Sequence, residues 1–319
     1  MHMFIPIDQS FNESLTGNFP VLQFIGSGSF ATVFTSHGGA CVFKVVRDPK
    51  NAGIIANEYM VLLNIHRTCD INSFFKLPQP YVFYNPTTGA LDASRHLFSA
   101  KTFRLLGITN ASYAMDRLFA LPLTLGHSIR HLYYPDSFKR ANLPTLCRLY
   151  FGKVIDVGLT PHNQEARPVH SFNTMDVPLD TARYTVLDAI HCLPDLHEVI
   201  AGMGDMLARI HWLGNCDARN IEWVMSGDGY GDEVSYSVID FEQTKQWGKT
   251  LEGVDMLVTA FMTNEPYYPR PRPQDPQYQI FKTAYPTDQA ALDVALAFLT
   301  TIEHEQAQRD AEPTYGSMR

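Results

Sequence analysis

The sequence predicts an α+β protein of two lobes, a small β-rich lobe over residues 1–118 and a larger helical lobe over residues 119–319. Three observations carry this. Residues 19–46 read as a three-strand meander with Gly26 and Gly28 in its first turn. Lys44 interrupts the otherwise apolar third strand, Cys41–Val46. Far downstream, Leu196, Val199, Ile200, Met203, Leu207 and Ile210 repeat at three and four, the clearest amphipathic helix in the chain, and two aspartates, Asp217 and Asp240, follow it.

Taken in order, residues 1–18 read as a loosely attached leader. The turn Gly26-Ser27-Gly28-Ser29 lets backbone come close to a phosphate, with Val33 and Val42 counted among the contacting positions. Alone, such a segment is more often an ordinary hairpin. A dinucleotide-binding reading is disfavoured, because Phe30, Thr32, Val33 and Phe34 favour strand where that fold starts a helix. Residues 50–68 predict a helix with Ile54, Glu58, Val61, Leu62 and Ile65 on one stripe. Glu58 therefore faces the core and needs a cation, and Lys44 is the natural one. Strands are expected at 74–84 and 112–121, with a loop at 85–89. Met115, Asp116 and Leu118 mark the crossing between lobes, where backbone groups meet an adenine edge. The stretch 119–195 is the least readable; Leu146–Gly152 suggests a strand, and Val177–Leu179 begins another element. A last helix is expected after Pro286, capped by Thr287 or Asp288 and ending near Glu305, with a fraying tail after Gln306.

With 319 residues, 45% hydrophobic and 18% charged, the chain is a folded one with a sizeable core. A net charge of −8 and the lack of a basic run argue against nucleic acid as partner. No apolar run spans a membrane, and the N-terminus lacks a secretory pattern. Five widely spaced cysteines without C-x-x-C suit a reducing, cytoplasmic setting and give no zinc pattern.

The second half of the chain completes a set begun by the glycine turn. Asp217-Ala218-Arg219-Asn220-Ile221-Glu222 leads into a hairpin and then Val238-Ile239-Asp240-Phe241. This is the order of a protein-kinase-like catalytic loop and its metal-binding aspartate. On that alignment Asp217 accepts a hydroxyl proton. Arg219 stands where lysine is usual and neutralises the moving phosphoryl group. Asp240 and Glu222 hold Mg²⁺, Glu222 replacing an asparagine. Lys44, paired with Glu58, reaches the ATP phosphates. Asn215 replaces the usual histidine, and Asp255 is placed to brace the loop. Nucleotide is expected between the lobes.

Met115-Asp116-Arg117-Leu118, Leu146–Gly152, Ile210-His211-Trp212, Asp217–Val224, Val238–Phe241 and Asn264–Pro271 carry a resemblance over roughly residues 110–275. The chain resembles a fungal kinase-like family catalogued as a domain of unknown function, distantly similar to protein kinases and aminoglycoside phosphotransferases. Many members lack a clear glycine loop, so the one here favours nucleotide binding. The resemblance implies ATP and Mg²⁺ as cofactors. The short link after Asp240, without an A-P-E, favours transfer to the hydroxyl of a small-molecule acceptor. A non-catalytic binding or regulatory module is the alternative, and a protein kinase ranks third.

Overall fold

Alternation along the third strand sets the architecture of the first half. In the computed structural model, which describes residues 21–93, 98–155, 173–285 and 292–312, the chain divides into two compact units. One holds the chain up to His66 with Pro78–Arg117, and the other holds Arg67–Leu77 with Leu118 onward. The fold class is α+β, β-rich in the first unit and mainly helical in the second.

The first unit is a six-stranded antiparallel sheet of β1 (Leu22–Ser27), β2 (Ala31–Ser36), β3 (Cys41–Val46), β4 (Pro80–Asn85), β5 (Ala90–Ala93) and β6 (Ser112–Asp116), in the order β1-β2-β3-β6-β4-β5. Side chains alternate across a strand. Phe43 therefore joins Tyr81, Tyr84, Phe98 and Phe103 on one face, beside the short helix α2 (Ala100–Leu105) with its Ser99–Thr102 capping box. Lys44 faces the other way, towards α1 (Ala52–Cys69), where Tyr59 packs on Phe83 and Tyr113. Cover on both faces explains why β3 reads as a continuous apolar run apart from its lysine. The buried stripe of α1 is Ile55, Glu58, Tyr59, Leu62 and Ile65, whereas Ile54, placed on it from sequence, is 44% exposed.

The second unit carries a small sheet, β7 (Cys147–Arg148), β8 (Glu222–Gly227) and β9 (Val234–Ile239), in that order. Its helices are α3 (Leu123–Tyr133), α4 (Thr181–His191), α5 (Leu196–Trp212), α6 (Val254–Thr263), α7 (Pro276–Ala284) and α8 (Leu292–Ala311). α5 is the expected amphipathic helix, and Val199, Ile200, Met203, Leu207 and Ile210 are buried. Its Gly204 lets α7 approach: a Cβ there would lie 2.3 Å from the Phe281 carbonyl oxygen.

Several boundaries differ from expectation. The strand placed at 74–84 begins only at Pro80. Residues 74–77 instead join the second unit, where Lys76 exchanges backbone hydrogen bonds with Tyr236 and Val238, and Phe75 stands edge-on to Trp223. The strand at 112–121 stops at Asp116, and the strand at 146–152 shrinks to two residues. The last helix runs on to Ala311 because its polar end is anchored: Arg272 forks onto Asp310, and Arg309 donates to the Met262 carbonyl. The leader at 1–18, the Thr287 or Asp288 cap and the tail from Pro313 lie outside the described residues. No helix among the described residues is long and apolar enough to cross a membrane.

Candidate active site

In the first unit the pair expected from Lys44 and Glu58 is present. Lys44 Nζ donates to Glu58 Oε1 at 2.6 Å, with the side chains 11% and 1% exposed. β3 and α1 bring together residues fourteen apart in sequence. Phe30, at the tip of the glycine turn, covers the ammonium with its ring centroid 5.2 Å away. The turn is closed by the Gly28 N–H donating to the Ala31 carbonyl, and the Arg47 guanidinium holds the Gly28 and Ser29 carbonyls. Neither Gly26 nor Gly28 has a positive φ, and a Cβ added at either would meet no atom within 4 Å. Nothing inside the unit requires glycine there, so these positions suit a group that comes close from outside. Ser27 and Ser29 are exposed on the same turn, Val33 is half-buried and Val42 is buried.

The residues expected at the crossing make bonds within the first unit. Asp116 donates its N–H to the Gln79 carbonyl, and its carboxylate accepts from the Gln79 N–H and the Tyr81 hydroxyl. Arg117 donates its N–H to the Ala40 carbonyl. The N–H and carboxylate of Asp116 thus tie β6 to the start of β4. Met115 and Leu118 are half-buried.

In the second unit the loop after α5 is tied on every side. Asp217 exchanges bonds with Lys245: its N–H donates to the Lys245 carbonyl, and its Oδ1 accepts from the N–H groups of Lys245 and Arg219 at 2.8 and 3.1 Å. Its Oδ2 is buried and makes no hydrogen bond. Burial pushes the Asp217 carboxyl up from its ordinary value, and the two N–H bonds pull it back only in part. Asn215, Ala218, Asn220 and Asp240 all take the left-handed conformation, with φ of 56°, 55°, 61° and 66°. For alanine this is strained, and such strain persists only where neighbours impose it. The neighbour is Asn264, whose Nδ2 donates to the Ala218 carbonyl at 2.9 Å while its Oδ1 accepts the Asn220 N–H at 2.6 Å. The bracing role expected of Asp255 is therefore corrected: Asp255 is exposed at the start of α6, and the asparagine just past that helix does the bracing. Sequence reasoning missed it, although Asn264 opens the Asn-Glu-Pro-Tyr-Tyr stretch singled out above.

Asp240 follows β9, and Glu222 pairs with Ile239 across β8 and β9. Glu222, expected as the second metal ligand, shares one oxygen with an arginine. Its Oε2 already accepts from Arg148 Nε and Nη2 at 2.9 and 2.8 Å, and Arg148 Nη1 holds Asp176 as well. Burial raises the Glu222 carboxyl to about 6, with Asp240 adding to the rise and Arg148 opposing it. Among the described residues no group of three or more His, Cys, Asp or Glu is placed to hold a metal ion. A hard cation that keeps most of its waters needs only one or two carboxylates, and Asp240 and Glu222 are the candidates. Arg219 lies half-buried beside Asp217.

Residues 237–292 match the family DUF3669, described as "Zinc finger protein". That segment holds neither cysteine nor histidine, so it carries none of the ligands a zinc finger uses. No curated protein matches the chain in sequence. Among solved structures, the ADP-bound aminoglycoside phosphotransferase APH(2'')-Ib is 11% identical, with 99% of this chain and 93% of that one covered and a TM-score of 0.29. The streptomycin-ATP-APH(2")-IIa ternary complex is 10% identical, with 96% and 99% covered and a TM-score of 0.27. At scores this low the likenesses decide neither ligand nor reaction.

Proposed function

We propose that the chain is an ATP- and Mg²⁺-dependent phosphotransferase acting on the hydroxyl of a small molecule. One observation carries this reading: Asp217 Oδ2 is buried and unpartnered while its other oxygen is fixed by two backbone N–H groups. A buried acceptor without a donor is unfavourable by about 1–3 kcal/mol unless a ligand supplies the donor. An acceptor hydroxyl is such a donor. Asp217 takes its proton as the hydroxyl oxygen bonds to phosphorus and the bond to the leaving nucleotide oxygen breaks. The raised carboxyl favours that transfer. Lys44, fixed by Glu58, offers its charge to the phosphates above which Gly26 and Gly28 leave room. Bound Mg²⁺ supplies charge neutralisation of the transferring group, and Asp240 is the residue offered to it.

A small acceptor is favoured over a protein side chain by residues 241–253. These are all that separates Asp240 from α6, and they are engaged with the loop. Thr244 Oγ1 donates to the Arg219 carbonyl, the Trp247 N–H to the Asn215 carbonyl, and Cys216 pairs with Gln246. That short link is thus tied to the loop rather than extended as a platform for a peptide.

A second reading, a non-catalytic kinase-like module that binds nucleotide, is favoured by the 1% exposure of Asp217 and by the Arg148 clamp on Glu222. Incubation with ATP, Mg²⁺ and a metabolite library, read by mass spectrometry, separates them. The phosphotransferase reading expects one metabolite to gain one phosphate, and expects that gain to vanish in Asp217→Asn. ATP binding without any modified metabolite supports the binding module. Labelling of generic protein substrates alone contradicts both.

A further inference from the structure

We propose that Arg270 and Arg309, on the second unit, form a binding site for a phosphate group. Both are residues that the phosphotransfer reading does not use, so the site stands or falls independently of it. The chain beyond Asn264 runs through Tyr267-Tyr268-Pro269-Arg270-Pro271-Arg272-Pro273. The Arg272 N–H closes a tight turn onto the Arg270 carbonyl at 2.7 Å, with Pro271 at its tip. That turn carries guanidiniums to the last turn of α8. There Arg272 forks onto Asp310, Nε on Oδ2 at 2.6 Å and Nη2 on Oδ1 at 2.7 Å, and the Gln306 amide also donates to Oδ1. Both oxygens of that carboxylate are taken.

Arg270 and Arg309 are left with carbonyls. Arg270 Nε donates to the Gly152 carbonyl at 2.7 Å, and Arg309 Nη1 to the Met262 carbonyl at 3.1 Å. Neither makes an ion pair among the described residues. A carbonyl fixes a guanidinium without neutralising it. Burial, and then the like charges of Arg272 and Arg309, lower Arg270 from its ordinary value, with Asp310 opposing. Asp275, the other carboxylate nearby, caps α7 and acts on Arg272. Among the described residues Arg270 has no acceptor for either Nη, and Arg309 has none for Nε or Nη2. A carboxylate answers one arginine fork, as Asp310 does for Arg272. A phosphate monoester has three terminal oxygens and a charge of roughly −1.5 to −2 at pH 7, so it accepts from two arginines at once. In a chain of net charge −8, this local excess of positive charge is where an anion is drawn.

Titration calorimetry of the full chain with inorganic phosphate, at an ionic strength held constant with NaCl, tests this. Wild type is expected to take up phosphate in a saturable step. Arg309→Gln, at an exposed position, is expected to keep the wild-type unfolding midpoint and to weaken phosphate about tenfold or more. Arg270→Gln should weaken it likewise; should that variant fail to fold, Arg309→Gln decides. Lys153→Gln removes a charge next to Gly152 that already pairs with Glu265, and is expected to leave phosphate affinity unchanged. Phosphoserine and a phosphoserine peptide, titrated in parallel, identify the carrier. A peptide bound about tenfold more tightly than the amino acid supports the site with a protein partner, and equal affinity supports it with a small phosphorylated molecule. No saturable uptake by wild type, or equal affinity in wild type and Arg309→Gln, overturns the proposal and leaves phosphotransfer standing. An equal loss in Lys153→Gln marks general charge attraction and overturns it too.

Discussion

Two ionic contacts, one buried in the first unit and one half-buried in the second, are built on different principles. Lys44 and Glu58 are fourteen residues apart, on a strand and the helix that follows it, and meet at 2.6 Å. Arg148 reaches 74 residues to Glu222 and 28 to Asp176, and it holds both. The first pair is local and follows from periodicity alone: a lysine in an apolar strand and a carboxylate on an apolar stripe must compensate each other. The second is assembled by β7–β8 pairing and one isolated bridge, and no spacing in the sequence announces it. Local order places the residue proposed to meet a phosphate, whereas tertiary pairing decides what surrounds the carboxylate beside Asp240.

The strongest test of this contrast removes one partner of the local pair. Lys44→Ala leaves Glu58 charged at 1% exposure, and we expect a loss of about 3–5 kcal/mol in denaturant unfolding. Lys44→Met with Glu58→Leu should recover most of that stability while nucleotide binding stays lost. Recovery of both would show that the lysine serves the fold alone. Next, Asp217→Asn preserves shape and both backbone bonds, and phosphate transfer should fall by about 10²–10⁴-fold with nucleotide affinity unchanged. Equal losses in both would return Asp217 to a structural role.

Asn264→Ala removes both bonds that hold Ala218 and Asn220 in left-handed geometry. It should destabilise the second unit by about 1–3 kcal/mol and lower kcat more than it changes KM. Asp255→Ala, at the exposed site that sequence favoured as the brace, should shift stability by less than about 0.5 kcal/mol. If the two variants behave alike, the bracing assignment is wrong.

Acid supplies a smaller perturbation, located in the second unit. His211 is fully buried against Tyr285, Trp247 and Phe298, and burial lowers it from 6.5 to about 3. The unfolded chain takes up its proton as pH falls through 6.5 and the folded chain does not, so stability is lost downward from there. The loss is about 1.4 kcal/mol per pH unit, roughly 2 kcal/mol by pH 5. Glu222 works in the opposite sense. With its carboxyl raised to about 6, the folded form binds a proton first, and stability rises as pH falls from about 6 towards 4.5. Unfolding midpoints between pH 7 and pH 5 should therefore fall in wild type, and fall more steeply in Glu222→Gln. An unchanged slope would contradict the burial assigned to Glu222.

What could be read from the sequence follows the same division. The meander, α1, α5 and the β8–β9 hairpin each carry their own periodicity or turn residues, and all appear. α3, α4 and α7 were not foreseen, because tertiary partners define their buried faces: α7 lies where Gly204 opens α5 to it. Residues 74–77 looked like the start of a strand because Phe74 and Phe75 are apolar, but that side-chain burial is against Tyr236 and Trp223 rather than within the first sheet. Of the candidate site, Lys44, Glu58 and Asp217 were legible from burial cost and order. Asn264 and Arg148 were not, since each acts on backbone or carboxylates brought close only by the completed fold.

The central claim is tested most directly by titration calorimetry with ATP, with and without Mg²⁺, on wild type and on the Lys44→Met, Glu58→Leu chain. We expect wild type to bind one ATP, more tightly with Mg²⁺ present, and the double variant, folded to the same midpoint, to bind none. ATP binding that is equal in both proteins, or absent from wild type, would contradict the account.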